Sequence, residues 1–120
     1  MGKRKKKKHY IDNKKFEETI FNYLENPKDY EDELIGQLDL LITSILISFK
    51  FKVDFDDAKQ ECFVLSLKVL KNFTREKGSA FNYFTTVIVN NLKLIYTKNR
   101  KYQEKMQQYK DKKIKAFLEE

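Results

Sequence analysis

Apolar residues recur at intervals of three and four over most of the chain, and alternation of apolar with polar residues is sustained nowhere. Intervals of three and four place residues on one face of an α-helix, whereas a half-buried strand requires alternation of apolar with polar residues. One proline and three glycines leave few interruptions. The spacing therefore predicts an all-α fold, a compact bundle of about four helices. A chain of 120 residues suffices for one domain with a modest core.

Four helices are predicted, at about residues 14–25, 29–50, 55–72 and from near Ser79 to beyond residue 100. Asn13 is suited to cap the first helix, and Pro27 interrupts the chain before the second. The residues predicted to form the core share helical spacing: Phe16, Ile20, Leu24, Leu34, Leu38, Leu41, Ile42, Ile45, Leu46, Phe49, Ala58, Cys62, Leu65, Val69, Phe73, Phe81, Phe84, Ile88, Leu92 and Ile95.

The net charge of +7 is distributed unevenly along the chain. Residues 1–10 contain six lysines and arginines and no acid, whereas residues 11–50 contain nine acids and four bases. Residues 98–120 are basic again, with eight bases and four acids. Basic ends around an acidic flank indicate two partners, a polyanion and something with a basic face.

A run of like charges cannot bury enough apolar surface to fold, so residues 1–11 are predicted to be a disordered basic tail. The helical domain is expected to span residues 12–105. Residues 106–120 are expected to be a basic linker that ends in a hydrophobic-acidic tail.

Several classes of protein are excluded by what the chain contains. One cysteine and one histidine exclude a disulfide framework and a Cys/His zinc site, and no cofactor is expected. His9 lies in the basic tail and Cys62 on a core stripe, which argues against an enzyme. The apolar run at residues 40–49 is too short to span a bilayer, so no membrane partner is expected. No apolar segment follows KRKKKK, so it is not a secretory signal.

A second stripe on the fourth predicted helix contains an aromatic ring, a hydroxyl, an amide and a cation, at Tyr83, Thr86, Asn90 and Lys93. Such groups can stack on bases and bond to their edges or to phosphates. Lys98, Arg100 and Lys101 follow on the next turns. The pattern indicates a nucleic-acid surface, with an ordinary solvated face as the alternative.

The third predicted helix has an exposed side of a different kind. Asp57, Gln60 and Glu61 share that side, and Val64, Leu67 and Lys68 continue it toward the carboxyl end. Acids followed by apolar residues suit docking onto a basic helix of a partner. A solvated face is again the alternative.

Residues 56–101 resemble region 2 of bacterial sigma factors, in which a D-x-x-Q-E helix leads through a K-F-x-x-x-x-G turn into an F-S-T-Y or F-x-x-W helix. The matching positions are Asp57, Gln60, Glu61, Lys68, Phe73, Gly78, Phe81 and Phe84, and Asn91 falls where small alternative sigma factors often have Asn. The resemblance extends more weakly over about residues 9–105. KGSAFNYFTTVIVNNL is most similar to the late-gene sigma factors of large tailed bacteriophages.

The resemblance implies partners and roles for these positions. The D-x-x-Q-E helix would dock on the β′ coiled coil of bacterial core RNA polymerase through Asp57, Gln60, Glu61, Val64, Leu67 and Lys68. The next helix would melt and read an AT-rich minus-ten element of promoter DNA. The residues assigned to DNA are Lys77, Phe81, Tyr83, Phe84, Thr86, Val87, Ile88, Asn90, Asn91, Lys93, Lys98, Arg100 and Lys101. Val87 and Ile88 replace the paired Trp of primary sigma factors.

The resemblance also implies a role for KIKAFLEE, because phage late sigma factors end in a short tail that binds the DNA sliding clamp. Ile114, Phe117 and Leu118 would make that contact. The resemblance further implies a phage co-activator as a partner, and the cytoplasm of an infected bacterial host as the location. The alternative for this tail is a last helical turn packed on the core. The alternative for the whole chain is a non-specific nucleic-acid-binding or polymerase-appropriating helical protein.

Overall fold

A computed structural model describes residues 11–49 and 53–119 of the protein. Helix α1 spans Asn13–Glu25, α2 spans Pro27–Ser48, α3 spans Phe55–Val69 and α4 spans Ala80–Leu118. Two 3₁₀ turns, Leu70–Asn72 and Arg75–Lys77, connect α3 to α4. The described ranges contain no strand, so the predicted all-α bundle of four helices is confirmed. Most of the predicted basic tail lies outside the described residues, and its last residue, Ile11, packs against the core.

The first two helices begin differently from the prediction. Asp12, not Asn13, caps α1, because its carboxylate accepts hydrogen bonds from the backbone N–H groups of Lys14 at 3.0 Å and Lys15 at 3.4 Å. Pro27 is the first residue of α2 rather than a residue before it. Proline suits that position because an N–H there would have no partner within the helix.

The core consists of the facing stripes of the four helices around three aromatic rings. The ring centroid of Phe84 lies 5.6 Å from that of Phe16 and 6.0 Å from that of Phe73. Most of the predicted core residues are buried, with three groups of exceptions. Leu24 and Phe81 are exposed, and Ile45, Phe49 and Ile95 are half-buried. Ser66 on α3 and Leu70 in the following 3₁₀ turn are buried where Leu65 and Val69 were predicted.

The exceptions on α3 follow from the helical period. Ala58, Cys62, Ser66 and Leu70 are spaced by four residues and form one continuous buried line along α3 and into the 3₁₀ turn that follows it. The sequence did not predict this line because Ser66 is polar, and apolar spacing favoured the neighbouring Leu65 as the buried residue.

Gly36 lies in the middle of α2, and a Cβ added there would meet nothing within 4 Å. Glycine destabilises a helix interior because it has the most backbone freedom to lose. We therefore expect Gly36→Ala to raise the free energy of unfolding by about 0.5–1 kcal/mol. A urea unfolding curve measures this. Gly78→Ala is the matched control and should destabilise, because Gly78 has φ +97°. A lower stability for Gly36→Ala would contradict the expectation.

Candidate functional site

The outer side of α3 presents all six residues predicted to bind a partner. Asp54 begins the helix, since its carboxylate accepts a hydrogen bond from the backbone N–H of Asp57 at 2.9 Å. From that start the helical period places the following residues on one exposed side: Asp57, Gln60, Glu61, Val64, Leu67 and Lys68. All but Leu67 line a shallow groove of about 510 Å³, whose other wall is Asn91 of α4. Carboxylates and apolar side chains are thus exposed together.

Asn91 faces α3 rather than the other residues assigned to DNA. It is half-buried, and its side-chain Nδ2 donates to Cys62 Sγ at 3.8 Å. Asn91 therefore lies beside the α3 residues that were predicted to bind a partner, and its contact with DNA stays a prediction. The helical period explains this, because Asn91 is one turn from the buried Ile88 on the side next to α3.

The cysteine beside Asn91 is a packing residue. Burial raises the pKa of the Cys62 thiol, the hydrogen bond from Asn91 opposes this increase, and the charge of Glu61 adds to it. A thiol whose ordinary pKa is already 9.0 therefore stays protonated at neutral pH. The thiolate is the nucleophilic form, so nothing here favours covalent chemistry at Cys62.

Two residues assigned to DNA belong to the core. Phe84 and Ile88 have 0% exposed surface, so in this structure neither side chain is accessible to a ligand, and their burial does not favour the assignment to DNA. The reason is the period of α4, which places both on the stripe that continues to Leu92. The resemblance matched the sequence position of Phe84, but the burial of its ring makes it a packing residue.

Tyr83 and Val87 are half-buried beside that stripe. The ring of Tyr83 lies 5.2 Å from that of Phe73 and meets Phe84 edge-on at 5.1 Å. The ammonium group of Lys77 lies 5.9 Å from the Tyr83 ring centroid. Tyr83 is thus held by core rings on one side and is partly accessible on the other.

The remaining residues assigned to DNA are exposed. Thr86, Asn90 and Lys93 share a face of α4 with Tyr83, as the spacing predicted. These exposed residues comprise Lys77, Phe81, Thr86, Asn90, Lys93, Lys98, Arg100 and Lys101. The surface therefore has the cations and hydrogen-bonding groups that a polyanion would need.

An apolar groove of about 770 Å³ lies between the start of α1, the end of α2 and the start of α4, and the sequence did not reveal it. Its apolar walls include Leu41, Ile45, Phe49, Phe81 and Val89. The wide apolar face of α2 was the only signal in the sequence. Ile45 and Phe49 belong to that face, and they pack against the edge of the core and also line the groove. Phe81 is 40% exposed there.

Polar groups edge the same groove. Asn13, Ser44, Ser48 and Ser79 line it, and so does Thr85. The hydroxyl of Thr85 is buried and has no hydrogen-bond partner among the described residues. A flat apolar ligand with a polar edge could therefore contact rings and aliphatic side chains while bonding to one of these groups.

The start of α4 is fixed by side chains from α1. Ser79 caps it locally, accepting from the N–H of Asn82 at 3.1 Å. The Glu17 carboxylate accepts from the N–H of Ala80 at 2.9 Å, and Asn13 Oδ1 accepts from the N–H of Phe81 at 2.9 Å. These bonds join residues more than sixty positions apart and hold Phe81 at the groove.

We expect Glu17→Ala to lower the free energy of unfolding by about 1–3 kcal/mol, because it leaves the N–H of Ala80 without its acceptor. Arg75 also loses a contact, since its Nη1 lies 3.4 Å from Glu17 Oε1. Glu17→Gln keeps an acceptor oxygen and should cost less. Urea unfolding of both variants tests this, with exposed Glu18→Ala as the control. Equal stability of all three would show that the cap contributes nothing.

The carboxyl end of the chain is helical and exposed. Helix α4 continues to Leu118, so residues 106–118 are an extension of the helix where a linker was predicted. Phe117 is 73% exposed and Leu118 75%, and Ile114 is also exposed. The alternative in which this end packs on the core is therefore wrong, and the apolar residues predicted to bind a clamp are accessible.

The chain matches no protein-family model, no curated protein and no solved structure. Among the described residues, no group of three or more His, Cys, Asp or Glu side chains is placed to hold a metal ion. No helix of the described ranges is both long and apolar enough to cross a membrane. The surfaces of α3 and α4 and the sequence resemblance are therefore what bears on function.

Proposed function

We propose that this chain is a phage-type sigma factor, which binds host core RNA polymerase and recognises and melts an AT-rich minus-ten-like late promoter element. It would act in the cytoplasm of an infected bacterial cell. The observation that carries the proposal is the order of two exposed sites along the chain. The exposed side of α3 comes first, and a turn that ends at Gly78 connects it to the apolar groove at the start of α4.

The α3 side supports the polymerase half of the proposal. Asp57 and Glu61 provide negative charge, and Val64 and Leu67 provide apolar surface one turn farther along. A basic helix of the β′ coiled coil would pair with the acids and cover the apolar side chains. Charge complementarity of this kind orients an encounter and excludes partners of the same sign.

The groove and the exposed face of α4 support the DNA half. Melting requires unpaired bases to be held, and a base turned out of its stack is bound by flat apolar contacts with a few polar partners. Phe81 provides an accessible ring, and the Thr85 hydroxyl is without a partner in the described chain. Lys93, Arg100 and Lys101 are exposed farther along α4, where a phosphate backbone could follow.

A second candidate is a non-specific nucleic-acid-binding protein or a protein that appropriates polymerase. The observation in its favour is the number of exposed cations on α4, since lysine contacts with phosphates alone bind DNA without reading sequence. Its DNA affinity would fall steeply with salt and would not depend on the promoter.

Copurification with bacterial core RNA polymerase, followed by transcription from supercoiled phage DNA, separates these functions. A sigma factor forms a complex with core polymerase and directs initiation at defined start sites. Polymerase binding without start-site choice supports the appropriating protein, and DNA binding without polymerase supports the non-specific one. Absence of both activities would overturn the proposal.

The exposed end of α4 would bind the DNA sliding clamp and so tether the polymerase to DNA. We expect deletion of residues 114–120 to leave the thermal melt and polymerase binding unchanged, because Phe117 and Leu118 contact no core. Clamp-stimulated transcription should be lost, because the tether that raises local concentration is gone. Phe117→Ala with Leu118→Ala should reproduce the loss, and Lys115→Ala serves as the control. A large fall in melting temperature would contradict the tether.

A further inference from the structure

The last part of α4 extends away from the bundle. The helix has 39 residues, and the radius of gyration is 19.8 Å, compared with about 14 Å for a compact chain of this length. Nearly every residue after Lys98 is exposed. Most of the stability of a helix in a protein comes from packing of one of its faces, so a surface that covers this extension would stabilise it.

One face of this extension combines cations and aromatic rings. Lys98, Tyr102, Lys105, Tyr109 and Lys112 follow one another at spacings of three and four, which places them in one stripe. Tyr102 is 60% exposed and Tyr109 57%.

The two acids of the same segment lie on the opposite face of the helix. Glu104 is paired there with Arg100 at 3.9 Å, and Asp111 accepts from Gln107 at 3.0 Å. The aromatic stripe is thus free of negative charge, which suits an acidic partner.

The outer face of α2 has the complementary character. Asp29 and Asp32 are exposed along it, with the exposed Ile35 beside them, whereas Asp39 farther along is half-buried and pairs with Lys59 of α3 at 2.8 Å. Gly36 is at the centre of this α2 face, and no part of the described chain comes within 4 Å of the Cβ position there. The packing of the bundle therefore gives no reason for a glycine, whereas a helix laid across this face could approach the backbone closely.

We propose that two copies of this chain associate reciprocally, with the aromatic-basic stripe of α4 in each copy lying across the acidic face of α2 in the other. Residues 11–49 carry nine acids and three bases, and residues 98–120 carry eight bases and four acids. Each copy has both faces, so two copies related by a two-fold axis satisfy both contacts and close the assembly. The contact uses neither the outer side of α3 nor the apolar groove. It shares Lys98 with the residues assigned to DNA, but the association itself is measured without DNA or polymerase.

Sedimentation equilibrium of the full chain tests the association. We expect a dimer at low salt that dissociates at high salt, because contacts between exposed charges are screened. Tyr102→Ala with Tyr109→Ala should weaken association by about tenfold or more, as for aromatic anchors at interfaces. Gly36→Ala should weaken it similarly, while at high salt, where the chain is monomeric, its free energy of unfolding should be higher than that of the unmodified chain. Gln103→Ala, off the stripe, is the control. A monomer at every salt concentration would overturn the proposal.

A charge exchange distinguishes this contact from unspecific association. Asp29→Lys with Asp32→Lys in one preparation, and Lys105→Glu with Lys112→Glu in another, should each give monomers. Mixing the two preparations should restore a heterodimer, because each acidic face then meets a basic one. Dimers in either preparation alone, or monomers in the mixture of folded proteins, would show that these two faces do not pair.

Discussion

Charge reversal on α3, Asp57→Lys with Glu61→Lys, is expected to abolish copurification with core RNA polymerase while the helical content stays unchanged. Both side chains are exposed, and the cap of α3 uses the Asp54 carboxylate with only the backbone of Asp57. Loss of a desolvated charge pair at an interface typically costs about 2–5 kcal/mol, and the introduced repulsion adds to it. Binding should therefore weaken by at least about thirtyfold.

The matched control reverses two exposed acids on another helix, Glu18→Lys with Glu25→Lys on α1. It changes the net charge by the same amount, so a general electrostatic attraction between the acidic flank and polymerase would weaken equally in both variants. Calorimetric titration with core polymerase measures the two affinities. Normal affinity of the α3 variant, with its circular dichroism unchanged, would show that the assigned side is wrong.

Phe84→Ala is expected to destabilise the bundle by about 3–5 kcal/mol, since it empties the space of a fully buried ring. Phe81→Ala, three residues earlier, should leave the melt almost unchanged and impair promoter opening, because loss of a stacked base costs roughly 1–3 kcal/mol. The two rings occupy neighbouring turns of one helix but contact different surroundings.

Thermal melts and permanganate footprints of an open promoter complex would separate the two effects. Phe81→Leu is the control, because it keeps the groove apolar without a flat ring, and it should also impair opening. If Phe84→Ala kept its melting temperature but was defective in promoter opening, Phe84 would have to be assigned to DNA contact. Normal promoter opening by Phe81→Ala would show that the apolar groove does not hold promoter bases.

Under the proposed function, polymerase docking on α3 would precede DNA binding at the start of α4, and the positions of the two surfaces allow this order. Docking through the outer side of α3 leaves the groove at the start of α4 accessible, because the groove is bounded by α1 and α2 instead. Glu17 and Asn13 hold the start of α4 from the α1 side. Under the proposed function, a polymerase bound on α3 would thus find the ring of Phe81 already positioned.

The amino-acid sequence by itself determined the number and type of the helices, and most of the core. Apolar side chains at a spacing of 3.6 must share a face, and that holds whatever the helix packs against. The exposed side of α3 followed from the same rule, since six residues from Asp57 to Lys68 share one direction. Both results depend only on geometry within a single helix.

Only the tertiary structure decided which of the aromatic residues on α4 are accessible and what lies next to them. Phe81 and Phe84 are three residues apart and read alike in the sequence, yet one lines a groove and the other fills the core. The groove needs walls from α1 and α2, and the α4 cap needs Glu17, more than sixty residues away. Contacts between helices depend on how the helices are placed relative to one another, and that placement has no periodicity that a single segment could reveal.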